Sequence, residues 1–107
     1  MNPVRVAVIG SGYVGTVVAA CLAHVGHSVV GVESDPEKLS ALQRGEVPFY
    51  EPGLEGYLTS GIAEGRLRFT ADFADAMNSS DVVFVCVGTP QTPGHVDVNE
   101  VELFPAS

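Results

Sequence analysis

The stretch Gly10-Ser11-Gly12-Tyr13-Val14-Gly15 restricts what this chain can fold into more than any other. An apolar run, residues 4–9, leads into it, and a long Ala-rich apolar segment follows. Then come Gly26, a second apolar run and a carboxylate at Glu33. Gly10 permits a tight turn off a strand. Gly12 lacks a side chain, so a phosphate group can come close to the backbone there. Gly15 lets the next helix pack tightly on the sheet, and the free N–H groups at that helix start face the phosphates. Glu33 follows Gly15 by 18 residues, near the place where such folds put an acid that binds a ribose. Strand, glycine turn, helix and acid in this order point to a dinucleotide site, with a glycine turn serving only packing as the plainer reading.

The rest of the chain alternates in the same way. Residues 4–9 read as a strand apolar on both faces apart from Arg5, the pattern of a covered parallel sheet. Residues 13–25 read as a helix ended by Gly26, and residues 28–33 as a second strand. Asp35 and Pro36 signal a helix start, and that helix stops at Gly45. A loop with Pro48 and Pro52 precedes a short helix over 53–64. Residues 66–70 form a third strand, Thr70 or Asp72 caps a further helix, and residues 81–87, DVVFVCV, form a fourth strand. Asp97 or Asn99 caps a last helical turn or two through Leu103, ended by Pro105. The expected fold is α/β: a Rossmann-like parallel sheet with helices on both faces and strand order 3-2-1-4, the truncated half of a doubly wound domain. In that order the winding reverses between the first and fourth strands. The Gly10 turn and the loop Gly88-Thr89-Pro90 then face each other across one crevice, where ligands of such sheets bind.

Composition narrows the partners. The chain of 107 residues suffices for one domain with a core, whereas a cofactor domain plus a substrate domain needs roughly 200 or more. With 13 acids against 5 Lys and Arg, the net charge of −8 argues against a nucleic-acid surface. It leaves room for an anionic cofactor, because backbone N–H groups hold phosphates without side-chain charge. Met1 leads almost directly into a strand, so no signal peptide is expected; no apolar run reaches transmembrane length, because Gly10, Ser11 and His24 interrupt the most apolar region, and with no CxxC pair a reducing cytoplasm is the expected location. Cys21 and Cys86 lie in apolar runs and read as core residues; His24, His27 and His95 are scattered, and no metal site is expected.

Taken together, GSGYVG, VESDPEKL, VPFYEPGL, RLRFT and DVVFVCVGTP make the chain resemble the amino-terminal domain of the UDP-glucose/GDP-mannose dehydrogenase family over roughly residues 4–101, most like its UDP-glucose 6-dehydrogenase branch. The resemblance implies NAD as cofactor. Gly10, Gly12, Tyr13, Val14 and Gly15 would wrap its pyrophosphate, and Glu33, where the family more often has Asp, would bind the adenosine ribose. Lys38 would lie near the same ribose, while Gly88, Thr89 and Pro90 would line the nicotinamide side. Tyr50, Glu51, Pro52 and Gly53 form the family's loop beside the cofactor, with no chemical role assigned. On the residues alone, Lys38 is also a solvated helix lysine. Glu51 is also a carboxylate favouring the positive end of the next helix, Tyr13 also a core or surface aromatic, and Thr89 also a turn former.

The resemblance further implies two NAD-dependent steps from a sugar-nucleotide alcohol to a carboxylate, through a thiohemiacetal on a cysteine of a second domain. No catalytic residue is assigned in residues 1–107, which read as a partial NAD-binding unit, inactive alone, with the nucleotide sugar bound only together with the missing domain. Another hydroxyacid-type dehydrogenase half and a non-catalytic binding or sensing module are the alternatives; YEPGL and VGTP disfavour the first. The outer edge of strand 82–87 is expected either to be bare, supporting a homo-oligomer, or to be shielded by residues 91–107. The absence of an arginine after Glu33, and its charge, favour NAD over NADP.

Overall fold

The most apolar strands of the chain lie side by side at the middle of the sheet. In the computed structural model, residues 2–47, 51–88 and 99–105 are described, with 87–88 and 99–105 through their backbone. The elements are β1 (Arg5–Ile9), α1 (Tyr13–His24), β2 (Ser28–Val32), α2 (Pro36–Gln43), α3 (Leu54–Ala63), β3 (Leu67–Thr70), α4 (Phe73–Asn78), β4 (Val82–Gly88) and β5 (Asn99–Pro105). The sheet order is β3-β2-β1-β4-β5. The first four strands run parallel, with Val8 opposite Gly31 on one side and Phe84 on the other. The expected order 3-2-1-4 therefore holds, with helices on both faces.

Val6, Ala7 and Val8 of β1 are all buried, as a strand covered on both faces requires. Strand alternation divides the core. Val6, Val8, Val29, Leu67, Phe69 and Cys86 face α1, α2 and α3, where Ala19, Ala20, Ala23, Leu42, Leu54 and Leu58 meet them. Ala7, Val30, Val32 and Val83 face the other way, against Ala76 of α4. The buried residues of α1 are Gly15, Thr16, Ala19, Ala20 and Ala23, a stripe of small side chains at helical spacing that brings the helix close to the sheet. Burying Leu42 and Leu58, both nearly inaccessible, contributes roughly 1.5–3 kcal/mol each.

Helix ends follow their local chemistry. The Asp35 carboxylate accepts from the Glu37 N–H at 3.0 Å and Pro36 opens α2; of the two candidate caps for α4, Asp72 takes the role, accepting from the Asp75 N–H at 2.9 Å.

Two expectations are corrected, and a third is decided between its two outcomes. The last element is a strand, not a helix: β5 runs antiparallel to β4, with Val82 opposite Pro105 and Gly88 opposite Asn99. The reason is tertiary. The outer edge of β4 presents a row of N–H and C=O groups that need partners, and VELF has the strand character to supply them. Pro105 closes this edge strand, a place where a missing N–H is tolerated. The edge of strand 82–87 is accordingly not exposed, and of the two expected outcomes the structure has the shielded one. Finally, Cys86 is buried but Cys21 is exposed, because it lies on the flank of α1 turned away from the sheet. Among the described residues, no helix is long and apolar enough to cross a membrane.

Candidate functional site

The glycine turn is built by contacts that each remove a degree of freedom. Gly10 has φ 96°, a conformation that glycine adopts without strain. Its N–H donates to the Val32 carbonyl at 3.1 Å, joining the turn to the end of β2. The Ser11 hydroxyl donates to the same carbonyl at 3.2 Å, and the Ser11 carbonyl accepts from the Thr16 hydroxyl at 3.0 Å. Both side chains are buried. Ser11 and Thr16 were not among the expected site residues; the signal available was a hydroxyl at a sheet-facing position of an otherwise apolar helix stripe.

Gly15 is required by packing. A Cβ there would lie 1.9 Å from the Gly10 carbonyl oxygen and 3.4 Å from the Cys86 Cβ. Gly12 is different: it caps α1 in extended conformation without a side-chain cap, and a Cβ added to it would meet nothing within 4 Å among the described residues. Among these residues the space beside its Cα is open. The first N–H groups of a helix have no partner within it; here the first helical bond runs from the Thr16 N–H to the Gly12 carbonyl at 2.9 Å. The first turn of α1 carries no acid, so its partial positive charge is not offset from within the turn. Val14 is half-buried on the same turn.

Glu33 follows β2 directly and is half-buried. Its N–H donates to the Thr70 carbonyl at 3.0 Å, which fixes its backbone at the carboxyl end of the sheet. One carboxylate oxygen accepts from the Asp35 N–H at 2.9 Å, a local bond that the motif spacing does not reveal. Lys38 is exposed on α2 and makes no ion pair among the described residues. Gly88 ends β4, the strand beside β1. The chain winds outward from β1 through β2 to β3, then returns to β4 on the other side of β1. Gly10 and Gly88 therefore flank the point where the winding reverses. Thr89, Pro90 and Tyr50 lie outside the described residues.

Tyr13 is about half exposed, at 49%. Its hydroxyl donates to Glu51 Oε2 at 2.8 Å, so the first residue of α1 is joined to the loop before α3. That hydrogen bond and the adjacent negative charge raise the Tyr13 phenol above its ordinary value. Burial pushes the Cys86 thiol up, which keeps it in the inert neutral form. Cys21 lines a groove of about 170 Å³ between α1 and α3 with Val17, Glu51, Pro52, Leu54 and Tyr57. Among the described residues, no group of three or more His, Cys, Asp or Glu is placed to hold a metal ion.

This geometry fits a dinucleotide: open space over Gly12, an uncapped helix start beside it, and an acid at the end of the neighbouring strand. Comparison with known proteins agrees. Residues 4–104 match the NAD binding domain of the UDP-glucose/GDP-mannose dehydrogenase family. The chain is 48% identical over 99 residues to UDP-glucose 6-dehydrogenase of Rhizobium meliloti (strain 1021), covering 91% of this chain and 23% of that enzyme. It is 51% identical over 86 residues to GDP-mannose 6-dehydrogenase of Pseudomonas putida, covering 80% of this chain and 20% of the relative. The crystal structure of a ternary complex of GDP-mannose dehydrogenase from Pseudomonas aeruginosa superposes with a TM-score of 0.81 at 44% identity, over 88% of this chain and 22% of that one. The chain thus spans under a quarter of the length of these relatives.

Proposed function

Since the chain belongs to the UDP-glucose/GDP-mannose dehydrogenase family, as its NAD-binding portion, we propose that it serves a nucleotide-sugar 6-dehydrogenase of the UDP-glucose to UDP-glucuronate type. In that reading residues 1–107 are a Rossmann unit that holds NAD, and the residues that bind and oxidise the sugar nucleotide lie in another part of the whole protein. NAD, when bound, would supply a nicotinamide that accepts one hydride, so that two NAD molecules in succession would be reduced for each alcohol taken to a carboxylate. The residues of this chain bind and orient it. N–H groups at the start of α1 receive the pyrophosphate over Gly12, with Gly10, Tyr13, Val14 and Gly15 shaping the turn. Glu33 accepts from the adenosine ribose, Lys38 lies toward the same ribose, and Gly88, Thr89 and Pro90 line the nicotinamide end.

The observation that carries this reading is the contrast between Gly15, where a Cβ has no room, and Gly12, where it would meet nothing among the described residues. A packing turn needs the first glycine but not the second; a phosphate seat needs both. No side chain of this chain is proposed as the reaction's nucleophile: Cys86 is buried, and Cys21, though exposed, has Glu51 and not a cation on its groove. The chain alone is therefore proposed to bind NAD without turning it over. Product use in polysaccharide biosynthesis and a reducing, cytoplasmic setting for its two free cysteines belong to the same proposal.

Calorimetric titration of the chain with NAD, NADP and ADP-ribose tests it. Binding of NAD and ADP-ribose, with NADP weaker because the Glu33 carboxylate repels a 2′-phosphate, is the expected result. No heat with any of the three overturns the reading.

A further inference from the structure

Thr16 is the one polar residue among the buried residues of α1; the others are Gly15, Ala19, Ala20 and Ala23. It is wholly buried, and a buried hydroxyl costs free energy unless it is hydrogen-bonded. That hydroxyl donates to the Ser11 carbonyl at 3.0 Å, a group that lies before the helix. The Thr16 N–H donates to the Gly12 carbonyl at 2.9 Å. One residue of the helix thus holds two successive carbonyls of the glycine turn. Ser11 is fixed through its side chain as well. Its hydroxyl donates to the Val32 carbonyl at 3.2 Å, which also accepts from the Gly10 N–H at 3.1 Å.

These bonds set a direction. A trans peptide unit is planar, so the Ser11 C=O and the Gly12 N–H share one plane and point opposite ways. With the carbonyl turned toward the buried Thr16 hydroxyl, the Gly12 N–H points away from it, and no described residue accepts from this N–H. Glycine on one side of the peptide offers little steric resistance to its rotation. Without the Thr16 bond, the carbonyl oxygen could turn to the side where the N–H now points. A phosphate is attracted by an N–H there and repelled by a carbonyl oxygen.

We propose that Thr16 is a positioning residue for the dinucleotide: its hydroxyl, through the Ser11 carbonyl, holds the Ser11–Gly12 peptide so that the Gly12 N–H is presented to the pyrophosphate. The inference rests on the NAD reading of the glycine turn. Three kinds of substitution separate this role from a share in stability alone. Thr16→Val keeps the shape and removes the donor. Thr16→Ser keeps the donor. Ser80→Ala removes a different buried hydroxyl bond, to the Ala76 carbonyl at 2.7 Å, on the face of the sheet that α4 covers.

The test is calorimetric titration with NAD of the full chain and of the three variants, at a temperature where melting curves show each to be folded. The Gly12 amide of the isotopically labelled proteins is followed by NMR in the same titrations. Thr16→Val is expected to bind NAD about threefold to tenfold more weakly, the scale of one hydrogen bond, while Thr16→Ser and Ser80→Ala bind as the unsubstituted chain does. The Gly12 amide should move on NAD addition in the unsubstituted chain and in Thr16→Ser, and move less in Thr16→Val. Where Thr16→Val does not fold, Thr16→Ala, which matches the rest of the stripe, takes its place. An equal loss of affinity in Thr16→Ser or in Ser80→Ala overturns the positioning role. So does a Gly12 amide that NAD leaves unmoved in the unsubstituted chain, a readout that needs no variant. If the unsubstituted chain gives no NAD heat, the cofactor reading falls and this inference with it. If the chain binds and Thr16→Val binds equally well, only this inference falls.

Discussion

The two ends of the sheet handle polar groups in opposite ways. At the amino ends of the strands, side chains satisfy one another. Arg5 donates from its guanidinium to both Asp81 oxygens, at 2.9 and 3.3 Å, and its N–H reaches Asp81 as well. Arg66 pairs with Glu64, Arg68 pairs with Asp75, and the His27 Nδ1 accepts from the Val4 N–H at 3.1 Å. A cavity of about 200 Å³ lies there, lined by Arg5, Ser28, Arg66, Arg68 and Ser80 among others, but its arginines are engaged with acids. At the carboxyl ends, the helix start at Gly12 has neither a side-chain cap nor an acid in its first turn. The difference teaches that cavity size is a poor guide here. In the proposed reading the ligand end is the one with a helix start lacking a side-chain cap and an acid in its first turn, not the one with the most positive side chains.

Substitutions can break that contrast. Gly15→Ala has the largest expected effect. Its Cβ would press on the Gly10 carbonyl, so both the turn and the helix must shift. Destabilisation of about 1–3 kcal/mol or more and loss of NAD binding should appear together in thermal melts and calorimetry. Gly12→Ala should separate the two properties. Its φ of −74° suits alanine, and poorer capping costs no more than about 1 kcal/mol, but the new methyl occupies the phosphate approach. NAD affinity should fall about tenfold or more, a change of ~1.4 kcal/mol or above. If stability falls and affinity does not, Gly12 serves the fold alone.

Glu33→Ala comes next, with NAD binding weakened by about 1–3 kcal/mol, the scale of a lost charged hydrogen bond. NADP should gain relative to NAD as the repulsive charge is removed. An unchanged preference would remove Glu33 from the ribose site and leave it as the acceptor of the Asp35 N–H. Accessibility sharpens the contrast within α1 and β4: a thiol reagent should modify Cys21 in the folded chain and Cys86 only on unfolding.

The smallest effect belongs to the amino end. The hydrogen bonds from the Arg5 guanidinium, and then from its N–H, hold the Asp81 carboxyl below its ordinary value. A carboxylate lowered on folding stabilises above its unfolded pKa, about 4, and that stability is lost as pH falls through the lowered folded value. Asp81→Asn should flatten this acid limb of the melting temperature slightly, since exposed pairs contribute little, and leave NAD affinity unchanged.

Much of the fold was legible because local and tertiary demands agree. Residues 4–9, apart from Arg5, and residues 82–87 are apolar on both faces, and Gly10, Gly26 and Gly45, where the expected turns and helix ends fall, all have positive φ. Residues 99–105 were not legible. Asp97 and Asn99 carry a local helix-start signal, but the edge of β4 supplies a non-local reason for a strand that no window of neighbouring residues contains. Cys21 misled for a similar reason: an apolar run along a helix does not say which side faces the sheet, and the stripe of Gly15, Ala19 and Ala23 took that side. In the site, the glycines and Glu33 could be placed by spacing. The contacts that hold them could not: Ser11 to Val32, Thr16 to Ser11, and Tyr13 to Glu51 across 38 positions of sequence depend on which elements become neighbours.

The contrast between the two ends is tested most directly by following backbone amides of the isotopically labelled chain by NMR as NAD is added. Saturable shifts centred on Gly10, Gly12, Tyr13, Val14, Gly15 and Glu33, with Arg5, Ser28, Arg66 and Ser80 unmoved, are the predicted result. Shifts centred instead on Arg5, Ser28, Arg66 and Ser80 would contradict it.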